Sequence, residues 1–194
     1  MVRRLILVLG DQLSPPSRLS SLRDAVPDRD VVLMAEVAAE LAYAPHHRQK
    51  VAMVFSAMRQ HADALTGAGF RVRYVRHDDP ASSGSLPGEI LRAAGDLQPR
   101  EIVMARSGEW RLERAFDAME VAAPAPVIRR SDDRYLCDLE EFARWAEGRR
   151  ELRMEFFYRE MRRRYGLLME GREPAGGRWN FDAENRRRLP KGVR

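Results

Sequence analysis

The sequence contains little cysteine and no long apolar run, and each shortage excludes a class of protein. Its 194 residues include one cysteine, Cys137, so the chain can form no internal disulfide and no metal site built from cysteines alone. We interpret Cys137 as a half-buried apolar residue. No stretch approaches the roughly 18 apolar residues of a transmembrane helix, and the apolar segment after Arg4 is too short for a secretory signal. We therefore expect a cytoplasmic protein with no membrane partner.

Signatures of common catalytic and nucleotide-binding sites are also missing. Neither the phosphate-loop motif G-x-x-x-x-G-K-[ST] nor the dinucleotide motif G-x-G-x-x-G occurs. The sequence therefore lacks the motifs that usually indicate ATP hydrolysis or dinucleotide binding. The G-x-S-x-G motif of serine hydrolases is absent as well. We predict no catalytic residue in this chain.

Short apolar segments alternate with longer amphipathic ones, which is typical of a parallel sheet covered by helices. Apolar residues make up 44% of the chain, enough for a substantial core. We predict an α/β fold, a doubly wound, Rossmann-like parallel sheet of about five strands with helices on both faces, followed by C-terminal helices and an irregular connector. The predicted strands are residues 5–9, 31–35, 70–76 (an edge strand), 101–105 and 126–129. The predicted helices are residues 45–67, 86–95, 109–121, 139–147 and 151–169.

The character of the chain changes after Asp132. Residues 1–140 carry 19 basic and 20 acidic residues, whereas residues 141–194 carry 15 and 9. We predict an α/β domain over residues 1–132, a helical extension over 133–170 and a connector over 171–194. Arginine triplets at 162–164 and 186–188 lie among aromatic residues, which fits binding of nucleic acid. The same triplets also fit a solvated helix face or a set of interdomain salt bridges.

Two carboxylates follow the first two predicted strands. Asp11 lies in the segment 10–13, and Glu36 directly follows the second strand. Ligands of doubly wound sheets bind outside the carboxyl ends of the strands. Asp11 and Glu36 therefore converge on one crevice if these strands are neighbours, where their oxygens would accept hydrogen bonds from hydroxyl or ring N–H groups. In the alternative interpretation, Asp11 caps a turn and Glu36 begins a solvated loop.

Aromatic and basic residues cluster before the longest predicted helix. His46 and His47 lie four and three residues before Lys50, so one helix face can present a histidine and an ammonium group. Adjacent histidines diverge on a helix, which disfavours a shared metal ion, and we predict no metal ligand. Polar residues of a helix start that face solvent are the alternative.

Five segments in collinear order resemble one protein family. They are LILVLGDQLS (5–14), MAEV (34–37), HHRQKVAMVFSAMR (46–59), WAEGRRELRMEFFYREMRRRYGLLM (145–169) and GGRWNFDAENR (176–186). Together they resemble the N-terminal domain of the photolyase-related family of iron–sulfur bacterial cryptochromes and photolyases, the prokaryotic (6-4) photolyase type. Members of that family repair pyrimidine–pyrimidone photoproducts in DNA or act as light sensors.

The resemblance implies cofactors and site residues. An N-terminal α/β domain of this kind holds a dimethyl-ribityllumazine antenna, whereas FAD and an iron–sulfur cluster belong to a C-terminal helical domain. The implied antenna-binding residues are Gly10, Asp11, Gln12, Leu13, Glu36, Tyr43, His47 and Lys50. Among them, Glu36 is expected to hydrogen-bond the lumazine. In the connector, Asp182 and Arg186 match positions that approach the DNA lesion, and Arg186 would contact phosphate or the flipped photoproduct.

The chain stops where family members continue into the FAD-binding region, and a single cysteine cannot hold the cluster. We therefore expect it to be inactive in repair by itself, either as a piece of a longer protein or as a free-standing domain. An apolar stripe is expected to pack on the helical FAD domain or to mediate self-association; its residues are Met154, Phe157, Tyr158 and Met161. A non-enzymatic flavin- or nucleotide-binding module and a small basic DNA-binding protein remain as alternatives. Nothing in the sequence distinguishes a repair enzyme from a photoreceptor.

Overall fold

The structure, a computed structural model, describes residues 2–182 and residue 192. The chain divides into two compact units, Met1–Tyr135 and Leu136–Arg194. Within the described residues, no helix is both long enough and apolar enough to cross a bilayer.

A five-stranded parallel sheet forms the centre of the first unit. Its strands are β1 (Arg4–Leu7), β2 (Asp30–Ala35), β3 (Arg71–Val75), β4 (Glu101–Ala105) and β5 (Val127–Arg130). They lie in the order β3-β2-β1-β4-β5, and every neighbouring pair is parallel. This confirms the predicted α/β class and the edge position of β3, and the pairing of β1 with β2 meets the condition set for Asp11 and Glu36 to converge. Because the chain moves outward from β1 to β3 and then returns to β4, the strand order reverses beside β1, where such sheets bind ligands.

Four helices accompany the sheet: α1 (Ala38–Ala42), α2 (Arg48–Gly67), α3 (Leu86–Leu97) and α4 (Trp110–Ala122). Helix α2 buries Met58, Ala62 and Leu65 at the predicted spacing. It begins at Arg48 rather than at residue 45, because His47 is the N-cap and its ring accepts the Gln49 N–H. Helix α1 was not predicted; it is five residues long and buries none of them, so its sequence shows no apolar periodicity.

Two apolar clusters cover the two faces of the sheet. Leu5 and Leu7 of β1 belong to a cluster with residues of α3 and α4. Ile6 and Val8 belong to the other cluster, with residues of α2. Because both faces of β1 are buried, its sequence is continuously apolar rather than alternating.

The second unit contains α5 (Leu139–Ala146), α6 (Met154–Tyr165) and a short antiparallel pair, β6 (Met169–Glu170) with β7 (Glu173–Pro174). Asp138 and Glu141 form a capping box at the start of α5. The predicted helix over 151–169 is too long at both ends. It stops early because Gly166 takes a left-handed conformation with φ of 64°.

Candidate functional site

A cavity of about 220 Å³ lies at the carboxyl ends of β1 and β2, next to the segment that follows β4. Helix α2 supplies one apolar wall through Val51, Val54, Phe55 and Met58. Helices α3 and α4 contribute Leu86 and Leu112 from the other face of the sheet. The cavity therefore occupies the place where a doubly wound sheet binds its ligand.

Five of the predicted binding residues line this cavity: Gly10, Asp11, Glu36, Tyr43 and Lys50. Gly10 lies so close to α2 that a Cβ atom there would be 3.0 Å from the Met58 Sδ atom. Asp11 is largely exposed, and Arg134 donates to its carbonyl oxygen and, at 3.3 Å, to its Oδ2 atom. The structure thus brings Asp11 and Glu36 to one crevice, as the positions of the two strand ends predicted.

The Glu36 carboxylate is fully buried and hydrogen-bonded on all sides. Its Oε1 atom accepts bonds from Arg59 Nε at 2.6 Å and from the Tyr74 hydroxyl at 2.6 Å. Its Oε2 atom accepts bonds from Arg59 Nη2 at 2.8 Å and from the His77 backbone N–H at 3.0 Å. Each oxygen therefore accepts two bonds, which uses the normal capacity of a carboxylate.

These contacts determine the charge of Glu36. Burial alone would raise the pKa of the carboxyl group, but the hydrogen bonds from Arg59, Tyr74 and His77 outweigh it and hold the pKa below its ordinary value. Burial and the bond to Glu36 raise the pKa of Tyr74. Glu36 is consequently an ionised structural centre that joins β2, α2 and β3. A hydrogen bond from a ligand donor to the Glu36 carboxylate stays a prediction, and it would require one of the four present donors to be replaced.

Three other predicted residues have positions away from the cavity wall. Gln12 is buried; its side chain accepts the Leu9 N–H at 3.3 Å and donates to Ala105 O at 3.4 Å and Arg106 O at 3.2 Å, which ties the ends of β1 and β4 together. Leu13 packs against the cluster on the α2 face. His47 caps α2.

The neighbouring histidine, His46, does line the cavity. Its Nδ1 atom lies 3.4 Å from Lys50 Nζ, and its ring packs edge-on against Tyr43 with 5.1 Å between centroids. Spacing to Lys50 pointed to both His46 and His47, and the resemblance then selected His47 as the binding residue. No group of three or more histidine, cysteine or acidic side chains within the described residues is arranged to hold a metal ion.

The sequence did not identify Arg59, Tyr74 or Arg111, which organise the site. Arg111 of α4 forms a two-bond ion pair with Glu40, at 2.9 and 2.8 Å, and its guanidinium lies 4.2 Å from the centre of the Tyr43 ring. A buried carboxylate such as Glu36 requires a cationic partner. With 32 arginines in the chain, however, the sequence offered no way to choose Arg59.

Acidic groups dominate the polar part of the cavity wall. Four carboxylates line it: Asp11, Glu36, Glu40 and Glu109. Among its described lining residues, Lys50 is the one lysine or arginine. This arrangement favours hydroxyl and N–H groups of a ligand and disfavours phosphate groups.

The second unit holds the remaining predicted residues. Asp182 lies in a shallow groove with Trp179 and Phe181, and Arg186 is outside the described residues. Within the stripe on α6, Met154 and Tyr158 are exposed, whereas Phe157 and Met161 are half-buried. Phe157 packs against the rings of Phe142 and Trp145. Cys137 is half-buried, as predicted.

Comparison with known proteins identifies the family of this chain. The sequence profile described as deoxyribodipyrimidine photo-lyase-related protein matches residues 6–194. A relative from Agrobacterium fabrum (strain C58), named (6-4) photolyase, is 50% identical over 183 residues. These residues are 94% of this chain but 36% of the relative, so the chain spans about a third of that protein's length. The chain belongs to the family of deoxyribodipyrimidine photo-lyase-related proteins.

Proposed function

We propose that the first unit binds a ribityllumazine chromophore as the light-harvesting antenna of a FAD-dependent DNA photolyase or cryptochrome. The observation that carries this proposal is the cavity at the switch point of the sheet, where Gly10, Asp11, Tyr43 and Lys50 meet. Family membership and the name of the Agrobacterium relative support the wider context of light-driven repair of (6-4) photoproducts.

The chemistry of the cavity fits this ligand class. Val54, Phe55 and Met58 provide an apolar wall for a flat heterocycle, and the Asp11 carboxylate at the exposed side can accept bonds from the hydroxyls of a ribityl chain. The volume of about 220 Å³ is below the roughly 300 Å³ at which sites for drug-sized ligands begin. The cavity is therefore suited to the ring, with the sugar alcohol extending past Asp11. When bound, the chromophore would absorb light and pass the excitation to FAD.

In this proposal FAD and the iron–sulfur cluster belong to a separate helical domain. Cys137 is the one cysteine in the chain and cannot ligate a cluster alone. Its pKa is raised, chiefly by burial, which disfavours the thiolate form that a metal requires. We accordingly assign light capture to this chain and the electron-transfer chemistry to the FAD domain.

A fluorescence titration tests the proposal against the flavin- or nucleotide-binding alternative. Purified protein is titrated with ribityllumazine, riboflavin, FMN and ATP. We expect saturable binding of ribityllumazine and at least tenfold weaker binding of FMN and ATP, because the acidic wall repels their phosphates. Asp11→Asn should weaken ribityllumazine binding, whereas Asp96→Asn, an exposed change at the end of α3, should not. Preference for FMN or ATP would replace the antenna proposal with a nucleotide-binding one.

A contribution of the second unit to DNA binding is a separate proposal, favoured by one specific cluster. The guanidinium groups of Arg159, Arg162 and Arg163 lie 5.6, 5.1 and 4.5 Å from the centre of the Trp179 ring. Such a basic aromatic surface suits phosphate and base contacts. Arg163→Ala should reduce affinity for a DNA oligonucleotide and lower the slope of its salt dependence by about one ion. An unchanged salt slope would contradict this role for Arg163.

A further inference from the structure

The mouth of the cavity is bounded by two chain segments that follow different strands. Residues 38–43, which comprise α1 and Tyr43, follow β2 and contribute Glu40, Leu41 and Tyr43 to the wall. The start of α4, with Glu109 just before it, follows β4 and contributes Glu109 and Leu112. The strand-order reversal places these segments on opposite sides of the crevice.

Arg111 connects the two segments. Its Nη1 and Nη2 atoms donate to Glu40 Oε1 at 2.9 Å and to Oε2 at 2.8 Å, a two-bond fork that lysine cannot reproduce. Its guanidinium also lies against the Tyr43 ring, 4.2 Å from the ring centre. A single side chain of α4 thus contacts two of the three cavity-lining residues of this segment, Glu40 and Tyr43.

The segment that Arg111 contacts is otherwise weakly held. None of the five residues of α1 is buried, so this helix adds little to the core. At its start, the Ala39 N–H donates to Gly84 O at 2.9 Å. Near its end, side chains hold the segment in place: Glu40 and Tyr43 contact Arg111, and the Tyr43 ring packs on His46. The segment is therefore anchored at one end by backbone and at the other by side chains.

Arg111 also has a second carboxylate partner. Its Nη2 atom donates to Glu109 Oε2 at 3.0 Å. If Glu40 moves away, the guanidinium keeps an ionic partner on its own side of the mouth. Breaking the Arg111–Glu40 pair consequently costs less free energy than breaking an isolated ion pair. A small cost allows the mouth of the cavity to open and close as fast as ligand exchange requires.

We propose that Arg111 is a positioning residue that holds residues 38–43 across the cavity mouth and so sets how fast a chromophore enters and leaves. The part concerning ligand exchange rests on the proposed antenna function, and the part concerning closure of the mouth does not. Arg111 is not among the residues that line the cavity, but it contacts two that are, Glu40 and Tyr43.

A thiol-labelling experiment tests closure without any ligand. In a Cys137→Ser background, Val54→Cys places a single thiol on the α2 wall of the cavity. We expect Arg111→Ala to increase the labelling rate by a neutral maleimide about tenfold, from the combined loss of the ion pair and the cation–π contact. Glu40→Gln should act in the same direction, and Arg111→Lys should give an intermediate rate. Arg73→Ala breaks the Arg73–Asp96 pair away from the cavity and serves as the matched control.

A second measurement uses no cysteine at the wall, in case Val54→Cys perturbs the fold. Amide hydrogen exchange of residues 38–43 should accelerate in Arg111→Ala but not in Arg73→Ala. For ligand exchange, stopped-flow displacement of ribityllumazine should give a dissociation rate about tenfold higher in Arg111→Ala, in a protein that remains folded by circular dichroism.

The outcomes separate the two proposals. Unchanged labelling and exchange in Arg111→Ala, or an equal increase in Arg73→Ala, would overturn the positioning role. Faster labelling in a protein that fails to bind ribityllumazine would sustain closure by Arg111 and refute the antenna function. Faster labelling with an unchanged dissociation rate would show that the mouth closes without controlling the ligand, and would overturn the part of the proposal that concerns exchange.

Discussion

Replacing Glu36 by glutamine is the perturbation whose energetic cost follows most directly from the contacts. The carboxylate accepts four bonds from donors on three elements, and its side chain has no exposed surface. A glutamine keeps the shape but presents an amide nitrogen to two of these donors, at least one of them on Arg59. A lost hydrogen bond to a charged group costs about 1.5–3 kcal/mol. The Arg59 side chain is 41% exposed and can regain water, so we expect a total loss of about 2–4 kcal/mol.

Equilibrium unfolding in urea, followed by circular dichroism, measures this loss. The matched control is Asp96→Asn, which removes one charge of the Arg73–Asp96 pair on the surface and should cost less than about 1 kcal/mol. A Glu36→Gln protein within about 0.5 kcal/mol of the native one would refute the assignment of Glu36 as a structural centre. It would instead leave the carboxylate free to serve as a ligand acceptor.

Three further predictions concern pH, the Gly10 contact and the α6 surface. The pKa values of Asp30, Glu36 and Glu89 lie below their ordinary values in the folded chain, so their contribution to stability is full above about pH 4.5 and is lost as the pH falls through the lowered values. Urea unfolding at several pH values should show this loss, and Glu36→Gln should reduce it; a larger loss in the variant would contradict the lowered pKa. Gly10→Ala places a Cβ atom 3.0 Å from Met58 Sδ and should cost about 1 kcal/mol and weaken ligand binding. Gly95→Ala in α3 meets no atom within 4 Å and should be neutral or stabilising; equal effects of the two changes would refute the steric argument. The exposed Met154 and Tyr158 should support self-association in sedimentation velocity, and Met154→Glu should reduce it; a native protein that sediments as a monomer at all concentrations would reject this.

The sheet could be predicted from the sequence because burial on both faces leaves a strong local signal. The alternation in β3 indicated an edge strand, which is confirmed, and the continuous apolar run of β1 is typical of the central position it occupies. Elements without a buried face could not be found in this way. Helix α1 buries nothing, and the pair of β6 and β7 is only two residues long on each side.

The end of α6 shows how one backbone conformation overrides a side-chain pattern. Apolar residues continue at helical spacing through Leu168, which predicted a longer helix. Gly166 nevertheless adopts a φ of 64°, and its N–H bonds to Arg162 O, so the helix stops there. Glycine permits both a helical and a left-handed conformation, and the sequence alone does not select between them.

The location of the candidate site was predictable from the sequence, whereas the hydrogen bonds and ion pairs within it were not. Strand ends of a doubly wound sheet must meet at one edge, which is why Asp11 and Glu36 could be paired in advance. The partners of Glu36 come from α2, β3 and the loop after β3, up to 41 residues away along the chain. Such contacts depend on helix rotation and side-chain reach, which no local pattern encodes. As a result, the sequence indicated that the Glu36 carboxylate was free to accept hydrogen bonds from a ligand. In the structure, both of its oxygens already accept two bonds from other residues.

Isothermal titration of ribityllumazine into the native protein and into Val54→Trp tests the central claim most directly. Val54 lines the α2 wall of the cavity and is not one of the Glu36 donors, so an indole there is expected to fill the space. The account predicts one bound ribityllumazine per native chain and at least tenfold weaker binding to the variant, with its fold retained by circular dichroism. Absence of binding to the native chain, or equal binding to both proteins, would show that this cavity does not hold the antenna chromophore.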